Sequence, residues 1–290
     1  VAAVRENRLN DLSGAEWLFW TSTIFETFYP PDATHKLRKQ HGAMKPPEVM
    51  AEIIRFFTKQ GEEVIDPFAG VGGTLLGAAL AGRRATGYEI NPAWVEVYQQ
   101  IQREFAVVDG RLVRFDESQD DSGVRRELTP LTSPMITGDC MQLMAMLPDK
   151  SVDAIITDPP YGCQHGATGF KNETNFNMTE CGDARDFAAS EDMPAFLERM
   201  EALGCQAWRV LKPGRYLVLM IGDRYMRSEF VPLGVMVAET MRRVGFQFKG
   251  MRIWWNKATQ RPLRPYAVKS VFVPNIVHQN ILVLRRADEP

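Results

Sequence analysis

An apolar run ending in an acid, two prolines and an aromatic ring constrains this chain most. Residues 151–162 read S-V-D-A-I-I-T-D-P-P-Y-G. The run from Ala154 to Ile156 is too short for a helix and rich in β-branched residues, so it predicts a buried strand. Pro159 and Pro160 stop that strand and stiffen the chain. Asp158, rigid carbonyls and the Tyr161 ring are then held at a strand's carboxyl end, where open α/β sheets bind ligands. Such groups can accept hydrogen bonds from an exocyclic amine while the ring stacks on a flat base. A Pro-Pro turn with a surface tyrosine is the plainer alternative, and the rest of the chain decides between them.

Three further stretches repeat the pattern of a strand ending in an acid. Val64 to Thr74 reads V-I-D-P-F-A-G-V-G-G-T: a strand ending at Asp66, a glycine loop, then a helix to Ala81. The glycines let the backbone turn sharply and a ligand approach closely. Their spacing matches neither a dinucleotide fingerprint nor a P-loop. Ala85 to Ile90 is the next strand. Its Glu89 lies 23 residues after Asp66, the spacing at which an acid grips ribose hydroxyls in nucleoside-binding folds. A helix over Pro92–Phe105 follows. Met135 to Asp139 is a short third strand with an acid at its end, followed by a helix over Met141–Leu147. Before the first of these strands, H-G-A-M-K-P-P leads into a helix over Pro47–Lys59 with Ile53, Ile54, Phe56 and Phe57 on its apolar face. Proline is well tolerated at such a start.

The remaining segments fill in the alternation. Val107–Phe115 suggests a hairpin about Asp109-Gly110. A helix over Pro194–Val210, a turn at Leu211–Gly214 and a strand over Tyr216–Ile221 come next. A helix over Val231–Val244 precedes a strand over Phe246–Trp255 with a bulge at Gly250. Asn256–Asn275 reads as a basic loop, and Ile276–Leu284 as the last strand. Strands alternating with helices predict an α/β fold with a mainly parallel sheet. Residues 1–40 read as irregular but aromatic, with Trp17, Phe19, Trp20, Phe25, Phe28 and Tyr29. That is too apolar for a disordered tail, so packing on the main domain is expected. Lys36, Arg38 and Lys39 form a small basic cluster. Residues 162–192 lack periodicity and leave the candidate site, which suggests a mobile substrate loop.

Composition narrows the class. At 290 residues the chain is long enough for one large α/β domain or two small ones. No apolar run reaches about 18 residues, so no membrane span is expected. The start lacks the pattern of a signal peptide. Cys140, Cys163, Cys181 and Cys205 form no C-x-x-C pair, so zinc is not expected; scattered thiols fit a cytoplasmic, reducing setting. Net charge is −2, but Met241 to Arg286 holds ten Lys or Arg and no Asp or Glu. A basic segment on an acidic body is the asymmetry a phosphate-binding face produces. Arg261, Arg264 and Lys269 are its candidates for DNA contact; a solvated basic surface is the alternative.

Taken together, D-P-F-A-G-V-G-G-T, Glu89, Asp139 and D-P-P-Y resemble the amino-methyltransferases of DNA, the N4/N6 DNA methylase family of the D-P-P-Y type. H-G-A-M-K-P-P is similar to that family's remaining cofactor motif, and I-W-W-N-K with H-Q-N-I-L-V-L to its closing segment. The likeness covers about residues 41–286. It implies a Rossmann-like class I methyltransferase fold, with a seven-stranded, mostly parallel sheet whose last strand is antiparallel. It implies a methyltransferase domain over 41–290, after the aromatic segment 1–40. S-adenosylmethionine is the implied cofactor. Asp66, Phe68, Gly70 and Gly72 would hold its methionine end, flanked by Lys45 and Pro46. Glu89 would take the ribose and Asp139 the adenine amine. Asp158, Pro159, Pro160 and Tyr161 would form the target-base site.

The implied activity is methylation of adenine N6 in DNA, in the setting of restriction–modification with a cognate endonuclease as partner. Cytosine N4 methylation, guanine N2 methylation of RNA, and a catalytically silent cofactor-binding subunit are the competing readings. Asp rather than Ser at the motif's first position leans towards adenine. The cofactor motifs here precede D-P-P-Y, whereas many relatives are permuted the other way, and no large recognition domain follows. Any sequence reading therefore falls to residues 1–40, 162–192 or the basic segment.

Overall fold

The computed structural model describes residues 6–117, 127–161, 182–226, 228–259 and 271–288. Its centre is an eight-stranded sheet. The strands are β1 (Ile24–Thr27), β2 (Glu63–Asp66), β3 (Arg84–Glu89), β4 (Met135–Thr137), β5 (Val152–Thr157), β6 (Leu211–Ile221), β7 (Gln247–Asn256) and β8 (Gln279–Arg285). Their spatial order is β1-β7-β8-β6-β5-β2-β3-β4. Only β8 runs against its neighbours, pairing antiparallel with both β6 and β7. The chain builds outward from β2 through β3 to β4, then returns to start again at β5. The order therefore reverses between β2 and β5, which pair in parallel through Ile65 and Ile155. Ligands of open α/β sheets bind at such a switch point.

Alternation along the strands assigns the two faces. Ala154, Ile156, Val218 and Met220 join one core with the helices over Pro47–Phe57, Gly73–Ala81 and Pro92–Glu104. Ile155, Leu217, Leu219 and Ile221 join the other with the helices over Cys140–Ala145, Met193–Val210 and Leu233–Val244. All six residues of β5 are buried, as a central strand covered on both faces requires. Gly77 lets the first two helices close up: a Cβ there would lie 2.6 Å from Cβ of Met50.

The structure corrects the expected strand count from seven to eight. The extra edge strand, β1, comes from the N-terminal stretch, which is not irregular. Ser13 caps a helix over Gly14–Trp20 through a capping box with Glu16, and β1 then pairs in parallel with β7. Arg252 of β7 locks this segment down. Its guanidinium sits 3.9 Å from the Trp20 ring centre and 4.5 Å from that of Phe25, and Nε donates to the Ser22 carbonyl at 2.6 Å. The expected turn at Leu211–Gly214 is instead the bulged start of β6, where the register against β5 shifts. The bulge expected at Gly250 is present. So is the hairpin about Asp109 and Gly110, both at positive φ (47° and 73°), as a tight two-residue turn demands. A small hairpin, Arg224–Met226 with Glu229–Val231, precedes the helix over Leu233–Val244. Among the described residues no helix is long and apolar enough to cross a membrane.

Candidate active site

The carboxyl ends of β2, β3 and β5 open into one cavity of about 880 Å³. The glycine loop after β2 forms its floor. Asp66, at the end of β2, is buried, and its Oδ1 accepts from the Phe68 amide at 3.0 Å and from the Thr157 hydroxyl at 2.5 Å. Burial pushes its carboxyl up to about 6, against the pull of Thr157 and Thr74. Gly70 and Gly72 turn the loop at positive φ (51° and 82°). A Cβ on Gly72 would lie 2.2 Å from Cδ2 of Tyr98, so only glycine fits. Over Gly70 lies the His41 ring, edge-on to Trp94 with ring centres 5.1 Å apart. Burial first, then Lys45 and Arg38, push His41 down to about 4. It is therefore neutral at pH 7, and its buried Nδ1 has no partner among the described residues.

Glu89 ends β3 facing this loop. Its Oε2 accepts from the Gly70 amide and its Oε1 from the Asn91 amide, each at 2.8 Å. Burial raises its carboxyl to about 7 despite these two donors. Asp139 caps the helix over Cys140–Ala145, accepting from the Met141 amide at 2.9 Å. Phe68 lines the same cavity and packs edge-on against Phe187 at 4.8 Å between ring centres.

Asp158 lies just beyond β5, at the switch point. Lys45 Nζ donates to its Oδ2 in an ion pair whose side chains are 9% and 19% exposed. The Tyr161 hydroxyl donates to its Oδ1 at 3.3 Å and itself accepts from Nε2 of Gln279. Burial raises the Asp158 carboxyl, and Lys45 opposes that shift. The Tyr161 ring is seated against Gly222, where a Cβ would approach Cε2 to 3.2 Å. Arg224 Nη1 holds the Tyr161 carbonyl at 2.7 Å. Pro46, Pro159 and Pro160 also line the cavity.

The expected site residues thus share one cavity, apart from Gly72, which shapes the loop beneath it, and the basic candidates. Arg261, Arg264 and Lys269 lie outside the described residues, as do residues 162–181 of the expected substrate loop. The described part of the basic segment is largely engaged within the fold. Arg252 and Arg286 are buried, while Arg242, Arg243, Lys257 and Arg285 pair with Glu239, Glu201, Glu26 and Asp288.

Sequence reading missed two supports. Arg38, grouped above with a basic cluster, is instead buried in an ion pair with Asp32 (2.5 Å) and donates to the Lys45 carbonyl at 3.0 Å. Nothing in the local pattern marks Arg38 apart from its neighbours Lys36 and Lys39. Gln279 sits in the closing stretch H-Q-N-I-L-V-L, which marked the segment but gave that side chain no role.

Comparison with known proteins identifies the family. The model of N6/N4 methyltransferases, described as DNA methylase, matches residues 5–100 and 152–290, well over half of the chain. The chain belongs to the N6/N4 DNA methylase family. A second model, the RMKL-like methyltransferase domain, matches residues 57–174. Among curated relatives, a tRNA (guanine(10)-N2)-dimethyltransferase of Methanothermobacter thermautotrophicus is 30% identical over 132 residues, 46% of this chain and 32% of that one. The type II methyltransferase M.XycI of Xanthomonas campestris pv. cyanopsidis is 30% identical over 109 residues, 36% of this chain and 32% of that one. The matches thus span about a third of these relatives' lengths. Among solved structures, a SAM-dependent methyltransferase of Methanosarcina mazei aligns over 79% of this chain and 94% of its own (14% identity, TM-score 0.44). A candidate DNA modification methylase of Thermus thermophilus, complexed with S-adenosyl-L-methionine, aligns over 53% and 55% (25% identity, TM-score 0.37).

The cofactor of this DNA methylase family member is S-adenosylmethionine. The cavity fits it. The turned glycine loop lines it through Gly70 and Gly73, and the carboxylates of Glu89, Asp139 and Asp158 border the space a cationic sulfonium would share.

Proposed function

We propose that the chain methylates the exocyclic N6 amine of adenine in DNA, with Asp158 as the acceptor for that amine. The observation that carries the reading is Asp158 at the switch point, in one cavity with the glycine loop and Glu89. Family membership supports it, as does the relative named a type II methyltransferase. In this reading Glu89 accepts from the ribose hydroxyls and Asp139 from the cofactor's adenine amine. The glycine loop, with Asp66, Phe68, Gly70 and Gly72, cradles the methionine end, beside Pro46.

S-adenosylmethionine supplies an already activated electrophilic methyl, so the protein's task is aiming rather than acid catalysis. The target amine is a poor nucleophile because its lone pair is delocalised into the ring. Asp158 accepts one N–H, and a carbonyl of the Pro159–Pro160 turn accepts the other. Both bonds favour a pyramidal nitrogen with its lone pair directed at the cofactor side of the cavity. Orientation and fixed dipoles then do most of the work. A base in duplex DNA must first be flipped out, and Tyr161 is the ring for it to stack on.

A second reading, methylation of guanine N2 in RNA, is favoured by the tRNA-acting relative. One experiment separates the two. The chain is incubated with labelled cofactor and either duplex DNA or tRNA, the nucleic acid is digested, and the labelled nucleoside identified. N6-methyldeoxyadenosine supports the proposal; N2-methylguanosine from tRNA with unlabelled DNA replaces it.

A further inference from the structure

We propose that Lys45 is the positioning residue that keeps the Asp158 carboxylate charged and aimed at the target amine, rather than part of the cofactor's methionine site. This rests on the amine-methylation reading above. Three features of the geometry carry it. Lys45 Nζ is paired to Asp158 Oδ2. Its backbone is built in place, with its carbonyl held by Arg38 Nη1 and Arg38 held in turn by Asp32 and by the Thr34 hydroxyl at 2.8 Å. The helix over Gly73–Ala81 also starts hard against it, since a Cβ on Gly73 would lie 3.2 Å from the Lys45 carbonyl oxygen.

A buried ion pair is weak as a device for stability, because desolvation offsets the attraction. It does fix charge state. Asp158 is enclosed, and burial alone favours its neutral acid. A neutral acid offers one oxygen as a donor and loses much of its pull on an amine proton. The groups facing Asp158 are Tyr161 on its own turn, Asp66 from the end of β2 and Lys45 from the opposite wall. Asp223, beyond β6, faces Tyr161. Burial is what pushes Asp158 towards the neutral form, and Lys45 counters it. Tyr161 and Lys45 each engage a different oxygen, which fixes the plane of the carboxylate while leaving each oxygen a further lone pair.

The test compares the parent with Lys45→Met and Lys45→Arg by three measurements. Isotope-edited infrared titration reads the Asp158 carboxyl without any need for activity. The pH dependence of methyl transfer reads its role in the reaction, and calorimetry reads cofactor binding. In Lys45→Met the Asp158 band should titrate at higher pH, and the acid limb of the rate profile should follow by about one unit or more. The rate should recover at high pH, with cofactor affinity changed by less than about tenfold. Lys45→Arg should restore the acid limb. Should Lys45→Met not fold, Lys45→Gln offers the same loss of charge with a polar end. An unmoved carboxyl titration, with cofactor affinity falling more than about tenfold, would overturn the inference and return Lys45 to the cofactor. If the titration moves but the parent methylates no nucleobase, the counter-ion role stands and the methyl-transfer reading falls.

Discussion

The Thr157 hydroxyl donates to Oδ1 of Asp66 at 2.5 Å, tying the last residue of β5 to the last residue of β2. One carboxylate oxygen thus joins the strand that carries Asp158 to the strand that carries the glycine loop. The Phe68 amide on the same oxygen draws in the start of that loop. The two halves of the site are set relative to each other by bonds buried in the sheet, not by the ligand.

Holding Asp66 there has a pH signature. Its folded-state carboxyl is raised to about 6 and that of Glu89 to about 7, both chiefly by burial. A carboxyl raised in the fold binds protons that the unfolded chain has already released. Its contribution is therefore fully present below the ordinary carboxyl range and lost as pH rises through 6 and 7. Stability of Asp66→Asn and Glu89→Gln, relative to the parent, should climb as pH goes from about 4.5 to about 7.5. Urea titrations at both ends of that window measure it; a difference that stays flat would refute the buried-acid assignment.

The same raised carboxyl should govern cofactor binding. In the proposed reading the ribose hydroxyls donate to Glu89, which requires its ionised form. Affinity for S-adenosylmethionine should rise with pH through about 7. Glu89→Ala should flatten that dependence and weaken binding, since charged hydrogen bonds are each worth about 1.5–3 kcal/mol. Calorimetry showing unchanged affinity in the variant would remove Glu89 from the cofactor site.

In the proposed reading Tyr161 has two jobs, base stacking and a hydroxyl bond to Asp158, that a single substitution can separate. Tyr161→Phe keeps the ring, so stacking on a base, worth roughly 1–3 kcal/mol, should persist. It removes the hydroxyl from Asp158 and from Gln279. A modest loss in transfer rate, on the order of the 0.5–1.5 kcal/mol of one hydrogen bond, is expected, whereas Tyr161→Ala should also weaken nucleic-acid binding. Equal losses in both variants would mean that the ring has no stacking role.

The strand ends were legible in the sequence because each combines a short apolar run with an acid and a Gly or Pro breaker, all local signals. Asp66, Glu89, Asp139 and Asp158 therefore stood out without any structure. What stayed hidden depends on contacts across long sequence separations. Lys45 reaches Asp158 across 113 residues and Gln279 reaches Tyr161 across 118. Strand β1 forms only because β7 offers it an edge and Arg252 a cation between Trp20 and Phe25. The basic segment is legible only in part, since its candidates Arg261, Arg264 and Lys269 lie outside the described residues. Its charge stands out along the chain, yet folding buries Arg252 and Arg286 and pairs several of the others.

The central claim is that Asp158 acts on the target amine and not on the cofactor. Single-turnover methyl transfer by Asp158→Ala, with calorimetry of cofactor binding on the same sample, tests it most directly. Removing the charged acceptor should slow transfer by about 10²–10³-fold while cofactor affinity stays close to that of the parent. Transfer at the parent rate, or a loss confined to cofactor affinity, would contradict the account.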